Sequence, residues 1–519
     1  AEDRGELAPQ LYFGTYRHIM ETASFCLYDL HVECDGRQWD FPLDESQGKD
    51  VHDSRGTVVG QVQNPVWLIN DAFHWKPIYR YYSLSPAGFA LSASRQLAFI
   101  YNRDSLITYD LRHGDSQGRS YDSPALPVRL GMCFYDEPDS CIYAYELNGW
   151  DTYMARINPA SCRWQMLDKG SVDLQLHHHG ALFDQQSRRF LFFGGYGNRS
   201  YFNAFICYDL GTNRWDTLTF DGDAVAPRFF AAMTMTPDGK HAYLYGGKGN
   251  EAGDQNVGIR YYYDLYRLDL EKCRIEKLWE HDAPAESRVP ARDMVISPDG
   301  QWLYLLAYPE WKPQTHLRLY RVSVADGTYE ALGDSIPMAS EEIATNANLY
   351  YNARLHEFYC VIQEFGKYGD NETRIYALSA PPVGEEAVHR YDAASGASWP
   401  AGWLWVGVAA CLACTGLVWH RRRRMKRSSE GSPGVGTVLH PQAVALPQEP
   451  AQATVCPVEP SESAVAVQPV VDSPVVDEVR ELAMPTAALP MCNLLLLFGP
   501  FCAIDRQGRD MSHLFSPKI

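Results

Sequence analysis

Short runs of alternating apolar residues, each entered through a tight polar turn, recur along the middle of this chain. Phe183-Asp184-Gln185-Gln186-Ser187 precedes Arg189-Phe190-Leu191-Phe192-Phe193, and Thr236-Pro237-Asp238-Gly239-Lys240 precedes Ala242-Tyr243-Leu244-Tyr245. Ser297-Pro298-Asp299-Gly300-Gln301 repeats the turn. Pro fixes φ, Asp supplies a side-chain acceptor and Gly tolerates φ > 0, so the pattern predicts hairpins of period-two strands. After each hairpin comes an apolar strand end, a polar turn and a second large apolar residue seven positions on. Tyr208-Asp209-Leu210-Gly211-Thr212-Asn213-Arg214-Trp215 is the clearest copy. Weaker copies start at Ile157, Leu268 and Val322, with outer ones at Tyr109 and Tyr376. These anchors lie 48, 51, 60, 54 and 54 residues apart. A repeat near that length built only of strands predicts a radial β-propeller.

Two of the runs end in a double glycine, at Gly194-Gly195 and Gly246-Gly247. A double glycine after the second strand, then a Tyr and a Trp with six residues between them, resembles the kelch family. Tyr208 and Trp215 have that spacing; the fourth repeat keeps the glycines but has Leu268 and Ile275. The resemblance implies a six-bladed propeller over 74–382. A WD40-type or other six-to-eight-bladed propeller is the structural alternative. His74-Trp75-Lys76-Pro77-Ile78-Tyr79-Arg80-Tyr81 reads like the outermost strand of a blade, and is expected to complete blade six and so close the ring.

At 519 residues the chain holds more than one domain. Residues 402–419 carry no charge and, as a helix, span ~27 Å, enough for a bilayer core. Trp403, Trp405 and Trp419 flank this segment, and Arg421-Arg422-Arg423-Arg424-Met425-Lys426-Arg427 follows. The positive-inside rule places that end in the cytoplasm. The expectation is a single-pass inner-membrane protein of a bacterium, with the propeller in the periplasm. No N-terminal signal peptide is visible, so the chain is expected to begin partway through a longer precursor or after processing. Residues 383–400 would be a juxtamembrane linker, 401–420 the transmembrane helix, and 421–490 the basic stop-transfer and a disordered, Pro- and Ala-rich linker.

The ends carry weaker resemblances. Residues 1–73 include Trp39-Asp40-Phe41-Pro42-Leu43-Asp44-Glu45-Ser46-Gln47-Gly48, which resembles the tail of a concanavalin/laminin-G-like jelly roll. Residues 491–519 read as strand, turn, strand and a Ser516-Pro517 helix start, which resembles the opening hairpin of a SARP/OmpR-like winged-helix regulator. That resemblance implies DNA binding for a longer parent and none for these residues. The fold class is therefore all-β: a six-bladed kelch-like propeller preceded by a partial β-sandwich, and followed by one transmembrane helix and a disordered cytoplasmic linker.

The net charge of −18 argues against a nucleic-acid surface on the bulk of the chain. Of the 13 Cys, Cys133 and Cys141 flank a turn and could face each other across a hairpin, or be buried free thiols. No Cys/His spacing suggests zinc. The kelch resemblance raises galactose oxidase, whose copper chemistry needs two Tyr, two His and a Tyr–Cys crosslink. His177-His178-His179 is the one His cluster, and it reads better as the start of an inner strand lining the central channel. No cofactor, metal site or catalytic residue is nominated.

Loop length is the better clue. The connections between second and third strands emerge on one propeller face and bring Asn, Asp, Gln, Arg, Tyr and Trp together. Asn198, Arg199 and Tyr201, then Asn250, Glu251, Asp254 and Gln255, then Trp311 and Tyr368 are the expected ligand-binding residues. Amides and carboxylates suit hydroxyls and aromatic faces suit sugar rings, although Gly, Asn and Asp also simply make turns. The functional expectation is an extracytoplasmic sensor for a glycan or envelope ligand, possible as a homodimer and coupled to a cytoplasmic regulatory module. The alternatives are an anchored propeller enzyme, copper-oxidase-like or glycan-active, and an adhesion or protein-interaction module.

Overall fold

The structure is a computed structural model that describes residues 9–13, 25–34, 36–122, 132–147, 149, 153–169, 175–340, 345–391, 493–496 and 502–504. The chain divides into two units, 1–26 with 398–519, and 27–397. In the first unit Pro9–Tyr12 pairs parallel with Asn493–Leu496, which pairs antiparallel with Cys502–Ile504. The expected membrane span 401–420, the linker 421–490 and the helix start at Ser516-Pro517 lie outside the described residues. Among the described residues, no helix is long and apolar enough to cross a membrane.

The second unit is mostly β and propeller-like. Four separate four-stranded sheets form from 88–120, 133–169, 180–218 and 345–379, the last taking Lys76–Ser83 as its outer strand beside Asn371–Ser379. Residues 221–339 form one ten-stranded sheet. Within it, two antiparallel four-stranded runs, 232–281 and 289–339, are joined by a single parallel pair, Met233 with Asp293. The freestanding four-stranded blades are thus four rather than the six expected, because this one inner contact merges two repeats.

Apolar layers hold successive sheets together. Leu182, Leu191 and Phe205 pack on Leu244, Tyr266 and Leu268. Phe89 and Tyr109 of the first sheet pack on Tyr359 and Ile375 of the last, which closes the ring. The Tyr–Trp spacing has a direct cause: Tyr208 and Trp215 oppose each other across a hairpin, with ring centroids 5.0 Å apart. Trp215 Nε1 then donates to Asp168 Oδ2 of the preceding sheet at 2.8 Å.

Residues 27–73 form no β-sandwich: they make two two-stranded hairpins, Leu30–Cys34 with Arg37–Phe41 and Asp50–His52 with Val58–Gln61, and the short helix Ile69–Phe73. No second sheet faces these ribbons among the described residues, so Trp39, Val58 and Val59 stay exposed. Cys133 and Cys141 are free thiols and do not face each other, since Cys133 opposes Ala144 and Cys141 opposes Asp136.

Strand direction fixes the two faces. The second-to-third-strand loops and the connections into the next sheet share one face. Asn371–Ser379 runs from that face to the other, so residues 380–391 leave from the opposite side. There they are clamped: Gly333 N donates to Val383 O at 2.8 Å, and Tyr391 OH donates to Asp44 Oδ1 at 2.8 Å.

Candidate functional site

The expected loop residues come together only in part. Tyr196–Gly197 pairs with Ser200–Tyr201 around a two-residue turn in which Asn198 and Arg199 both have positive φ, 48° and 63°. This hairpin is laced to the 250–256 loop. Tyr201 N donates to Gly253 O at 2.8 Å, and Gln255 N to Arg199 O at 3.1 Å. Asn250 is 6% exposed and its Nδ2 donates to Asp254 O at 2.8 Å, while Asp254 Oδ1 accepts from Asn256 N and Nδ2. Asn198, Arg199, Tyr201, Asn250, Asp254 and Gln255 therefore form one cluster, and many of their polar groups hold the loops to each other.

Tyr201 is 7% exposed and stacks on Phe229 at 5.3 Å, so it offers no open ring face. Glu251 points to solvent. Trp311 and Tyr368 stand on their own loops, 59% and 89% exposed, with Lys312 Nζ 5.0 Å above the Trp311 ring.

A more convergent group lies at the mouth of the central channel on the same face. A cavity of about 20 Å³, room for roughly one water, is lined by His178, His179, Phe230, Arg292, Tyr308 and Asn346. Its walls are built by the connections that precede the inner strands Gly180–Asp184 and Ala232–Met235, by the inner strands Val289–Ile296 and Thr345–Asn352, and by the end of Trp302–Tyr308. Both double glycines shape it. Gly194-Gly195 and Gly246-Gly247 take positive φ, and a Cβ would stand 2.4 Å from Arg228 O at Gly194 and 2.6 Å from Phe229 O at Gly247. Segment 228–230 passes through that space. Arg228 anchors it, bidentate to Asp264 at 2.7 and 3.1 Å, with both side chains 1% exposed and the guanidinium 3.8 Å from the Tyr262 ring.

This anchoring aims Phe230 at the mouth. Phe230 N donates to His178 O at 2.8 Å, and the two rings lie 4.1 Å apart. Both residues have positive φ, 58° and 51°, an unusual conformation for bulky side chains. His179 Nδ1 donates to Leu176 O at 2.6 Å, so its Nε2 accepts from Tyr145 OH at 3.1 Å. Burial, reinforced by the Arg292 charge, pushes both His178 and His179 down to about 3, so both are neutral in ordinary buffers.

Arg292 is half-buried and donates through Nη2 to Asn346 Oδ1 at 3.2 Å. Among the described residues it joins no ion pair. Its neighbour Asp293 accepts from Asn348 Nδ2, and burial raises the carboxyl of Asp293. Tyr308 is 7% exposed, lines the cavity, and its hydroxyl has no hydrogen bond to the described residues. Burial and then the Glu310 charge raise that hydroxyl. The other nearby cation, Lys248, is neutralised: its Nζ lies 2.7 Å from Glu310 Oε1, which also accepts from Tyr261 OH at 2.6 Å.

The mouth can therefore present a guanidinium and a hydroxyl to a small acceptor group, beside neutral imidazoles. It contains no nucleophile–base pair. Among the described residues no three His, Cys, Asp or Glu side chains are grouped to hold a metal, and the nitrogens of His179 are already engaged.

The sequence reading did not nominate Arg292 or Tyr308. The available signal was the charged pair Arg292-Asp293 inside an otherwise apolar inner strand.

Residues 147–332 match the KLHDC2/KLHL20/DRC7 Kelch-repeats domain family. The match covers both double glycines and the Tyr208–Trp215 pair, and supports the kelch resemblance over that span. No curated relative matches the chain. A solved structure assigned to TolB from Agrobacterium tumefaciens is similar over 50% of this chain and 84% of that one, at 11% identity and a TM-score of 0.34. The kelch-type repeat and the channel mouth together define a binding module.

Proposed function

We propose that residues 74–382 are a six-bladed ligand-binding propeller, with the ten-stranded sheet counted as two blades, and that its ligand enters at the channel mouth. The observation that carries this reading is one cavity with two unspent donors, Arg292 and the Tyr308 hydroxyl, on the long-loop face. The propeller would belong to a membrane-anchored sensor, with 401–420 crossing the inner membrane of a bacterium, the propeller in the periplasm and 491–519 opening a cytoplasmic regulatory module; this requires that the pairing of Pro9–Tyr12 with Asn493–Leu496 does not form in the anchored protein, because that pairing puts both strands on one side of a bilayer. A glycan or other envelope ligand is the intended cargo, with dimerisation as a route for the signal. A pure protein-interaction module is the second reading, favoured by the kelch match.

The test is thermal-shift binding of the whole chain against glycans, peptides and metal ions, with Arg292→Met alongside. One ligand class should stabilise the parent protein by about 2.7 kcal/mol at a hundred times Kd, and should not stabilise the variant. Equal stabilisation of both proteins would remove the mouth from the argument. Turnover of a bound sugar would replace the sensor with an enzyme.

A further inference from the structure

The channel mouth also constrains what its ligand must be. Charge comes first. Arg292 is the one cation lining the cavity, and it joins no ion pair among the described residues. Lys248 is spent on Glu310, and His178 and His179 are neutral. Glu310 is spent in turn on Lys248, and burial raises the carboxyl of Asp293. The site can neutralise one negative charge. A dianionic phosphate would keep an uncompensated charge in a confined space, which is costly.

Shape comes second. A guanidinium is planar, and with Nη2 engaged by Asn346 it can still meet a planar carboxylate edge-on, in the geometry this pair favours. The Tyr308 hydroxyl adds a neutral donor. The cavity of about 20 Å³ has room for roughly one water, so only the tip of a head group can enter it. The rest of the ligand must lie outside, against the tilted rings of His178 and Phe230.

Backbone availability comes third. A peptide would need main-chain partners at the mouth, and those are largely taken. Phe230 N donates to His178 O, His177 and Tyr196 exchange both of their backbone bonds, and Gly195 N donates to Arg228 O. Ring faces and side-chain donors are left, which suit a hydroxylated ring.

We propose that the mouth binds a carboxylate-bearing sugar, a hexuronate residue of an acidic glycan, with its carboxylate on Arg292 and Tyr308. This rests on the reading of the mouth as the ligand site.

The experiment is calorimetric titration of the full chain with a galacturonate trisaccharide, its methyl ester, a phosphorylated neutral sugar, and a peptide with a free C-terminal carboxylate. Losing a hydrogen-bonded charge contact weakens binding by about tenfold or more. The acid should therefore bind at least about tenfold more tightly than the ester. Arg292→Met should abolish that advantage, so that acid and ester bind the variant alike. Tyr308→Phe, which keeps the ring and guards against a folding defect in the first variant, should weaken the acid several-fold. Equal binding of acid and ester would overturn the uronate assignment while leaving the mouth in play if Arg292→Met still mattered. Arg292-dependent capture of the peptide or the phosphorylated sugar would also overturn it. Binding of the acid that ignores both substitutions would overturn the mouth itself.

Discussion

His179 gives this protein an acid-sensitive core. The imidazole is 1% exposed, donates to Leu176 O and accepts from Tyr145 OH. Burial and the Arg292 charge hold it at about 3 in the folded state, against 6.5 for a free imidazole. Above pH 6.5 neither the folded nor the unfolded chain carries the proton, and the folded state keeps its full margin. Below 6.5 the unfolded chain takes up the proton and the folded chain does not until near pH 3, so stability falls as pH falls. Each pH unit in that window costs about 1.4 kcal/mol per histidine, or about 2 kcal/mol by pH 5. That figure depends only on the unfolded value, because pH 5 is still well above 3. His178, also near 3 but more open, adds up to a similar amount. The informative quantity is a difference. Urea unfolding followed by tryptophan fluorescence, at about pH 7.5 and about pH 5, compares the parent with His179→Gln. The variant should start less stable but lose about 2 kcal/mol less between the two conditions. Parallel losses in the two proteins would refute the claim that a buried neutral His179 sets the acid response.

Two further substitutions test the packing around the mouth. Arg228→Ala leaves Asp264 buried without its partner and should destabilise the propeller by about 3–5 kcal/mol; the double variant Arg228→Met with Asp264→Leu should recover much of the loss on the same urea curve. Tyr201 is among the ligand-binding residues expected from the sequence, which would make Tyr201→Ala a binding variant. Its burial against Phe229 now makes it a packing variant, expected to cost about 3 kcal/mol or more by analogy with other large aromatic truncations.

What could be read from the sequence was what repeats locally. A hairpin fixes its own register, so a Tyr and a Trp seven positions apart had to oppose each other, as Tyr208 and Trp215 do. The period of such hairpins was enough for a propeller-like, mostly β fold. Flanking a turn left Cys133 and Cys141 open to two readings, and the strand register, with Cys133 opposite Ala144 and Cys141 opposite Asp136, leaves them as free thiols. Residues 27–73, part of the 1–73 stretch whose 39–48 string resembles a jelly-roll tail, form ribbons of two strands each among the described residues. For the site, sequence could place the loops on one face, but not say which side chains the loops consume. Asn250 looks like a ligand residue until its amide is seen to hold the 254–257 backbone. Arg292 was hidden for a related reason. The pairing of its strand shifts register between Pro290 and Met294, so the alternation that marks inner strands breaks where the charge sits.

The kelch signature and the binding mouth have a common physical cause. Segment 228–230 crosses between the third and fourth repeats on its way to an inner strand, and the double glycines that remove side-chain bulk from its path belong to those two repeats. Gly195 N donates to Arg228 O, and the guanidinium of Arg228 reaches Gly246 O, so each double glycine also supplies a backbone partner. The corresponding strand of the fifth repeat ends in Ala307-Tyr308. A large side chain fits there, and that tyrosine brings its unspent hydroxyl to the cavity. Departures from the repeat consensus therefore need not signal decay. Glycine stands where backbone must pass, and tyrosine stands where the channel needs a wall and a donor. A search of related propellers for function would do better to begin where the double glycine is missing than where it is kept.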